Sequence, residues 1–397
     1  MIIQLTRMLC AATLFFTLVM RTPAVTLDWS LVGNPGNAND PADGDSGTAE
    51  VEHYGAVPYA FNIGTKQVTA SQYVEFLNTK DSAGVNSLNL YNANMSDVAY
   101  GGIGYVAGNA SGNKYVVIAG RGNHPANYIT WYEAVRFANW AHNGQGSGST
   151  ERGAYTLGAL GAGSVPINPP ITHNVGALVW LPTENEWYKA AYYNAATSSY
   201  FQYPTSTNST PIASGPTPLP NHANVNPGGA GNVTDVGAYS GTTSPYGVYD
   251  LGGNLYQWNE ALIGSARVVR GGSWADPVEG LLSSSRFNGS PTYQGFENSF
   301  RLASATTSLL AGDYNNNGVV DAADYVLWRN GGPLLNDGTP GTQPTDFDVW
   351  RSHFGQTTLG AAVGIATVPE PVTLLIIFST VLGYPICCRN SIRRNRV

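Results

Sequence analysis

The segments HPANYITWYEAVRFANWAHN (124–143), VWLPTENEWYKAAYYN (179–194), SPYGVYDLGGNLYQWNE (244–260) and RVVRGGSW (267–274), closed by ENSFRLA (297–303), decide the fold. Two of them open with the same helix-start signal. In Thr130-Trp131-Tyr132-Glu133 and Thr183-Glu184-Asn185-Glu186, hydroxyl and carboxylate satisfy free backbone N–H groups reciprocally. The spacing predicts one helix burying Trp131, Ala134, Ala138 and Ala141, and a second burying Trp187, Ala190 and Ala191. Pro182 sharpens the start of the second.

Upstream, the alternating apolar residues of AVPYAFNIGTKQVT (56–69) predict a half-buried strand, and Thr69 then caps a helix carrying Tyr73, Val74 and Leu77. Long Gly/Pro/Ser/Asn-rich stretches (33–47, 144–170, 204–231) separate these pieces. The expectation is α+β, with few helices and many short irregular strands.

Together the blocks resemble the formylglycine-generating enzyme family, also called sulfatase-modifying factors. The resemblance covers residues 26–305 and implies a C-type-lectin-like fold. It also implies an oxidase that converts a cysteine of a client sulfatase, using copper held by two cysteines of its own. Here the cysteines are Cys10, Cys387 and Cys388, all outside that region. Anchoring on Arg286 and on Phe300-Arg301 puts the family cysteine positions at Val278 and Ser283. Serine does not replace a thiolate for Cu(I), and valine has no donor atom. Copper and the copper-dependent oxidase activity are therefore not expected, and no catalytic residue is assigned.

The same resemblance implies a structural calcium on DLGGNLYQW (250–258), with Asp250, Gly253, Leu255 and Gln257 as ligands. Gln257 stands where the family has glutamate, which removes one charge. A further family site would fall at Asn224-Val225, where no acidic partner is found. The six histidines show neither H-x-x-x-H nor H-E-x-x-H spacing. Ser283-Ser284-Ser285 lacks the context of a nucleophile elbow and reads as a polar loop. Glu184 and Glu186 are explained by helix capping. Trp131, Trp140, Trp187 and Trp258 read as core; Trp180, Tyr192, Tyr193, Tyr246 and Trp274 read as core or rim.

Residues 310–356 change character. In DYNNNGVVDAAD (313–324), oxygen side chains at Asp313, Asn315, Asn317, Asp321 and Asp324, with the Val319 carbonyl and the turn residue Gly318, have the spacing that wraps a hard cation. The loop resembles that of dockerins and predicts calcium. A partial repeat places Leu335, Asp337, Thr339 and Pro340 at loop positions 1, 3, 5 and 6, and no ion is assigned there. The paired phrases DYVLWR and DFDVWR predict two small helices. A broken second loop puts a cohesin-like partner in doubt.

At the ends, residues 1–24 read as a secretory signal, with Arg7 ahead of an apolar run. Residues 357–367 form a linker. Residues 368–397 resemble a PEP-CTERM sorting signal: VPEP, an apolar stretch (372–386) and a tail with Arg389, Arg393, Arg394 and Arg396. Charged residues are 11% of the chain, against roughly 25% in typical soluble domains, which suits a loop-rich exported protein. A net charge of −7 without a basic stripe argues against nucleic acid. The expected protein is exported to the envelope or beyond, and is a non-catalytic ligand-binding or structural module for a protein or carbohydrate. The alternatives are an enzyme of the same class using other residues, and a dockerin-type assembly component.

Overall fold

A computed structural model describes residues 25–42, 53–157, 172–306, 310–315, 319–332, 334 and 342–356. The secretory signal, the linker beyond Gln356 and the sorting signal lie outside the described residues, as do Asn317 and the second loop at 335–341. Among the described residues no helix is long and apolar enough to cross a membrane. The chain divides into two units, 1–306 and 307–397.

The first unit begins with β1 (Trp29–Val32), β2 (Phe61–Gly64), α1 (Ala70–Lys80), β3 (Ile103–Tyr105) and β4 (Tyr115–Val117). Next come α2 (Trp131–His142), β5 (Val179–Trp180), α3 (Glu184–Tyr192), β6 (Tyr193–Asn194) and β7 (Ser199–Tyr200). The later strands are β8 (Ile212–Ala213), β9 (His222–Ala223), β10 (Tyr256–Ile263), β11 (Ala266–Arg270), β12 (Phe287–Gly289), β13 (Asn298–Ser299) and β14 (Ala303–Ala305). This is the expected α+β pattern. The strand expected over 56–69 is confined to β2; the rest is irregular.

Helices α1, α2 and α3 each start on a capping box: Thr69 with Gln72, Thr130 with Glu133, Thr183 with Glu186. Each cap satisfies donors that a helix start otherwise leaves bare, worth about 1 kcal/mol apiece. Helix α2 buries Trp131, Ala134 and Ala138, while Ala141 is only half-buried.

Two four-stranded sheets organise the unit, ordered β1-β2-β14-β5 and β12-β11-β10-β13. The first and last strands of the unit thus share a sheet. In the second, β10 and β11 form an antiparallel hairpin and β13 runs parallel to β10. Three buried tryptophans tie the sequence blocks together. Trp131 Nε1 donates to the Asn259 carbonyl (2.9 Å), Trp258 Nε1 to the Ile129 carbonyl (2.9 Å), and Trp187 Nε1 to Gln257 Oε1 (2.8 Å). A buried indole needs a partner for its one donor, and each finds it in another block. Trp180, Tyr192 and Tyr193 are also buried; Tyr246 and Trp274 are partly buried.

The second unit holds α4 (Ala322–Arg329) and α5 (Pro344–His353), so both repeat phrases fall on helices. Tyr314, Val320 and Trp350 form its small core, with Tyr325, Trp328, Phe347 and Phe354 packed around it.

Candidate functional site

Val278 and Ser283 lie in the segment joining β11 to β12, and the structure gives each a packing role. Val278 opens a short 3-10 turn and rests against Tyr203, Ala223, Val225 and Leu281. Ser283 is buried: its N–H donates to the Gln202 carbonyl (2.9 Å), its carbonyl accepts from Arg270 (2.9 Å), and its hydroxyl meets Tyr188. Neither environment offers a soft donor, so copper does not fit here.

Beneath this segment lies a charge cluster whose members are far apart in sequence. Glu184, in the first turn of α3, takes Arg270 on Oε1 (2.8 Å from Nε) and Arg286 on both oxygens (2.9 and 2.8 Å). Glu184 and Arg270 are buried and Arg286 nearly so. The guanidiniums also lie over the Tyr54 ring, at 4.9 and 5.0 Å from its centre. Capping, the role read for Glu184 from sequence, belongs to Glu186 alone.

Beside it opens a cleft of about 480 Å³, with Thr172, Thr183, Glu184, Asn185, Glu260 and Arg286 among its lining residues. Glu260 is buried at its edge. One oxygen accepts from the Tyr155 hydroxyl, from the His173 N–H (3.1 Å) and from His173 Nδ1 (2.8 Å). A carboxylate can only accept, so Nδ1 carries the proton. The His173 ring stacks on Trp180 at 4.8 Å. Burial pulls the His173 pKa down, but the hydrogen bond and charge of Glu260 outweigh it and leave the pKa raised.

The residues of the DLGGNLYQW phrase expected to hold calcium also make contacts within the protein. Gln257 is fully buried, and its Oε1 accepts from both Trp187 and Arg301. Its Nε2 donates to the Asp250 carbonyl (2.7 Å). The Leu255 carbonyl accepts from Gln67 (2.9 Å), and Asp250 Oδ2 accepts from the Gly237 N–H (2.6 Å). Burial raises the Asp250 pKa against that hydrogen bond and the pull of Arg301. Two lone pairs on the Gln257 oxygen meet two protein donors, so the amide serves the fold. Gly253 is required here: at φ +78° a Cβ would stand 2.5 Å from the Asn224 carbonyl oxygen. Asn224 itself donates to the Asn232 carbonyl (2.8 Å) within a turn.

In the second unit, Asp313 and Asp324 are both fully buried. Asp324 accepts from the N–H groups of Asn315 (3.0 Å) and Asp321 (2.8 Å), and Asp321 Oδ1 accepts from the Ala323 N–H (2.7 Å). Asp321 and Asp324 therefore form the capping box of α4 as well as two of the expected ligand positions. Burial, with the charges of Asp313 and Asp321, raises the Asp324 pKa against its backbone hydrogen bonds. Oxygen donors on one tight loop fit a hard cation. Among the described residues, no group of three or more His, Cys, Asp or Glu side chains is placed to hold a metal by itself. In this loop amide and carbonyl oxygens would have to complete the set.

With these geometries in place, the comparisons fix the family. The profile described as "Sulfatase-modifying factor enzyme 1-like domain" matches residues 16–306, and the chain belongs to that family. Among solved structures it is similar to Treponema denticola variable protein 1, at 20% identity over 70% of this chain and 94% of that one, with a TM-score of 0.46. It is also similar to CarF (21% identity, 70% and 98% coverage, TM-score 0.46) and to PvdO from Pseudomonas aeruginosa (18%, 70% and 92%, 0.38). No curated protein matches the chain.

Proposed function

We propose that this is an exported, envelope-associated member of the family that has lost copper chemistry and serves as a ligand-binding or structural module. The observation that carries the reading is the pair Val278 and Ser283, one in an apolar cluster and the other hydrogen-bonded, with no cysteine between residues 11 and 386. Thiolates are what hold Cu(I) against water, and none is available. Competitive titration of the purified mature chain with Cu(I) is expected to show no stoichiometric binding. One tightly held copper per chain overturns the reading.

The appended unit binds calcium through Asp313, Asn315, Asn317, Val319, Asp321 and Asp324, in the manner of a dockerin loop. The burial of both Asp313 and Asp324, near enough for the charge of one to raise the pKa of the other, supports it. With its second loop degenerate at Pro340, we do not assign it a cohesin partner. The residues after 367 act as a sorting signal for a membrane protease, and nucleic acid is not a partner.

A second reading, an enzyme of the same class using other residues, draws on the His173–Glu260 pair. A histidine whose Nδ1 proton is fixed by a carboxylate presents Nε2 as a base. His173→Gln keeps the ring space without the base; any turnover found for the mature chain would have to fall on this change for that reading to stand.

A further inference from the structure

The stretch from Thr172 to Leu178 leads into β5, an edge strand of the first sheet, and a different histidine holds each end of it. At the first end His173 donates from Nδ1 to Glu260. At the second the roles are reversed. The Leu178 N–H donates at 3.0 Å to Nδ1 of His142, the last residue of α2. A backbone N–H has only a proton to offer, so this ring nitrogen is bare and the His142 proton sits on Nε2.

The two ends therefore answer acid in opposite ways. A proton taken by His173 adds charge to a bond that already points at a carboxylate, with Glu186 as a second carboxyl nearby. A proton taken by His142 lands on Nδ1, where one N–H then faces another. Turning the ring over puts a C–H in that place, so no orientation of the charged ring keeps the bond. Water can serve the Leu178 N–H only once the two groups have parted. His142 is half-buried, and burial lowers its pKa. Of the elements packed on α2, β5 brings no titratable side chain and α1 brings Glu75 and Lys80, whose ammonium is held by the Ser147 and Gly148 carbonyls. The loop after α2 brings Arg152 and Glu151, the latter paired with Arg136. Among the described residues none of these pairs with His142. Once the ring is released, the free carbonyls ending α2 favour its charged form. The closed state thus repels the proton that the opened state accepts.

We propose that His142 is an acid-released latch, which gives up the Leu178 N–H on binding a proton and loosens the start of β5 while His173 keeps its hold on Glu260. One end of an edge strand is freed, and the cleft wall at Thr172 stays in place. The closed form binds the proton less readily, so opening grows as pH falls below about 6.5, by at most about tenfold per unit for one proton. Amide hydrogen exchange of the purified mature chain, corrected for the intrinsic effect of pH on exchange, reads the latch directly. From about pH 7.5 to about pH 5.5, protection of the Leu178 amide is expected to fall about tenfold, while the His173 and Phe137 amides keep theirs. His142→Asn offers an amide oxygen that takes no proton, and its Leu178 protection should stay high at both pH values. His142→Ala should be poorly protected at both. Wild-type protection that does not change with pH, an equal fall in His142→Asn, or a fall shared by Phe137, which is global unfolding, overturns the proposal. Ring NMR of the wild type decides the matter if neither variant folds: a neutral His142 carrying its proton on Nδ1 would also overturn it.

Discussion

Glu184 joins α3 to β11 and to the segment before β12, through Arg270 and Arg286. Removing it leaves two guanidiniums around an empty space, one of them fully buried. Glu184→Ala is expected to cost about 3–5 kcal/mol in urea denaturation, as breaking buried pairs does. A loss below about 1 kcal/mol would show the cluster to be incidental. Glu133 has the opposite character. It closes the α2 capping box from a fully buried position, and burial raises its pKa to about 7 against hydrogen bonds from Thr130 and Gln294 and the nearby Arg136. The folded protein therefore holds this proton where the unfolded chain has lost it. Stability should fall as pH rises from about 4.5 to about 7, at up to about 1.4 kcal/mol per unit, and level off above. Glu133→Gln should flatten that stretch of the curve; an unchanged slope would assign it to other groups. Glu133 was readable in the sequence as a cap because its partner is three residues away. The arginines of Glu184 stand 86 and 102 residues along the chain, and no local pattern points to them.

Helices were the most readable elements. Thr69, Thr130 and Thr183 announced α1, α2 and α3, because a capping box is written in four adjacent residues. Strands were not: β5 to β9 are two residues each, too short for alternation to show. The DLGGNLYQW phrase was recognised by its resemblance to the family's, yet that resemblance does not reveal that Trp187 and Arg301 reach the Gln257 oxygen. The Asp313 loop is the element where the proposed cation and a helix start would share residues, since Asp321 and Asp324 cap α4. Calcium titration of the mature chain should lose one ion per chain in Asp313→Ala and none in Asp337→Ala. Equal losses would mean that the second loop also binds; no loss in either would leave the phrase as a turn.

For the whole molecule, block order along the sequence was enough to give the family, because five segments joined by buried tryptophans and Arg301 form one core. The contact between His142 and Leu178 was not readable, since the two stand 36 residues apart. The proposed export and sorting would depend on the chain ends. Replacing Pro369, Glu370 and Pro371 by alanine should block C-terminal processing and leave a heavier, membrane-bound form; a mutant that matures to the wild-type mass would argue for a plain tail anchor. The central claim, that the family scaffold persists here without its copper chemistry, is tested most directly by mass spectrometry of a sulfatase-derived cysteine peptide incubated with the mature chain, Cu(I) and oxygen. The expected result is unmodified cysteine at every time point. Formylglycine that appears only when this protein is present would contradict it.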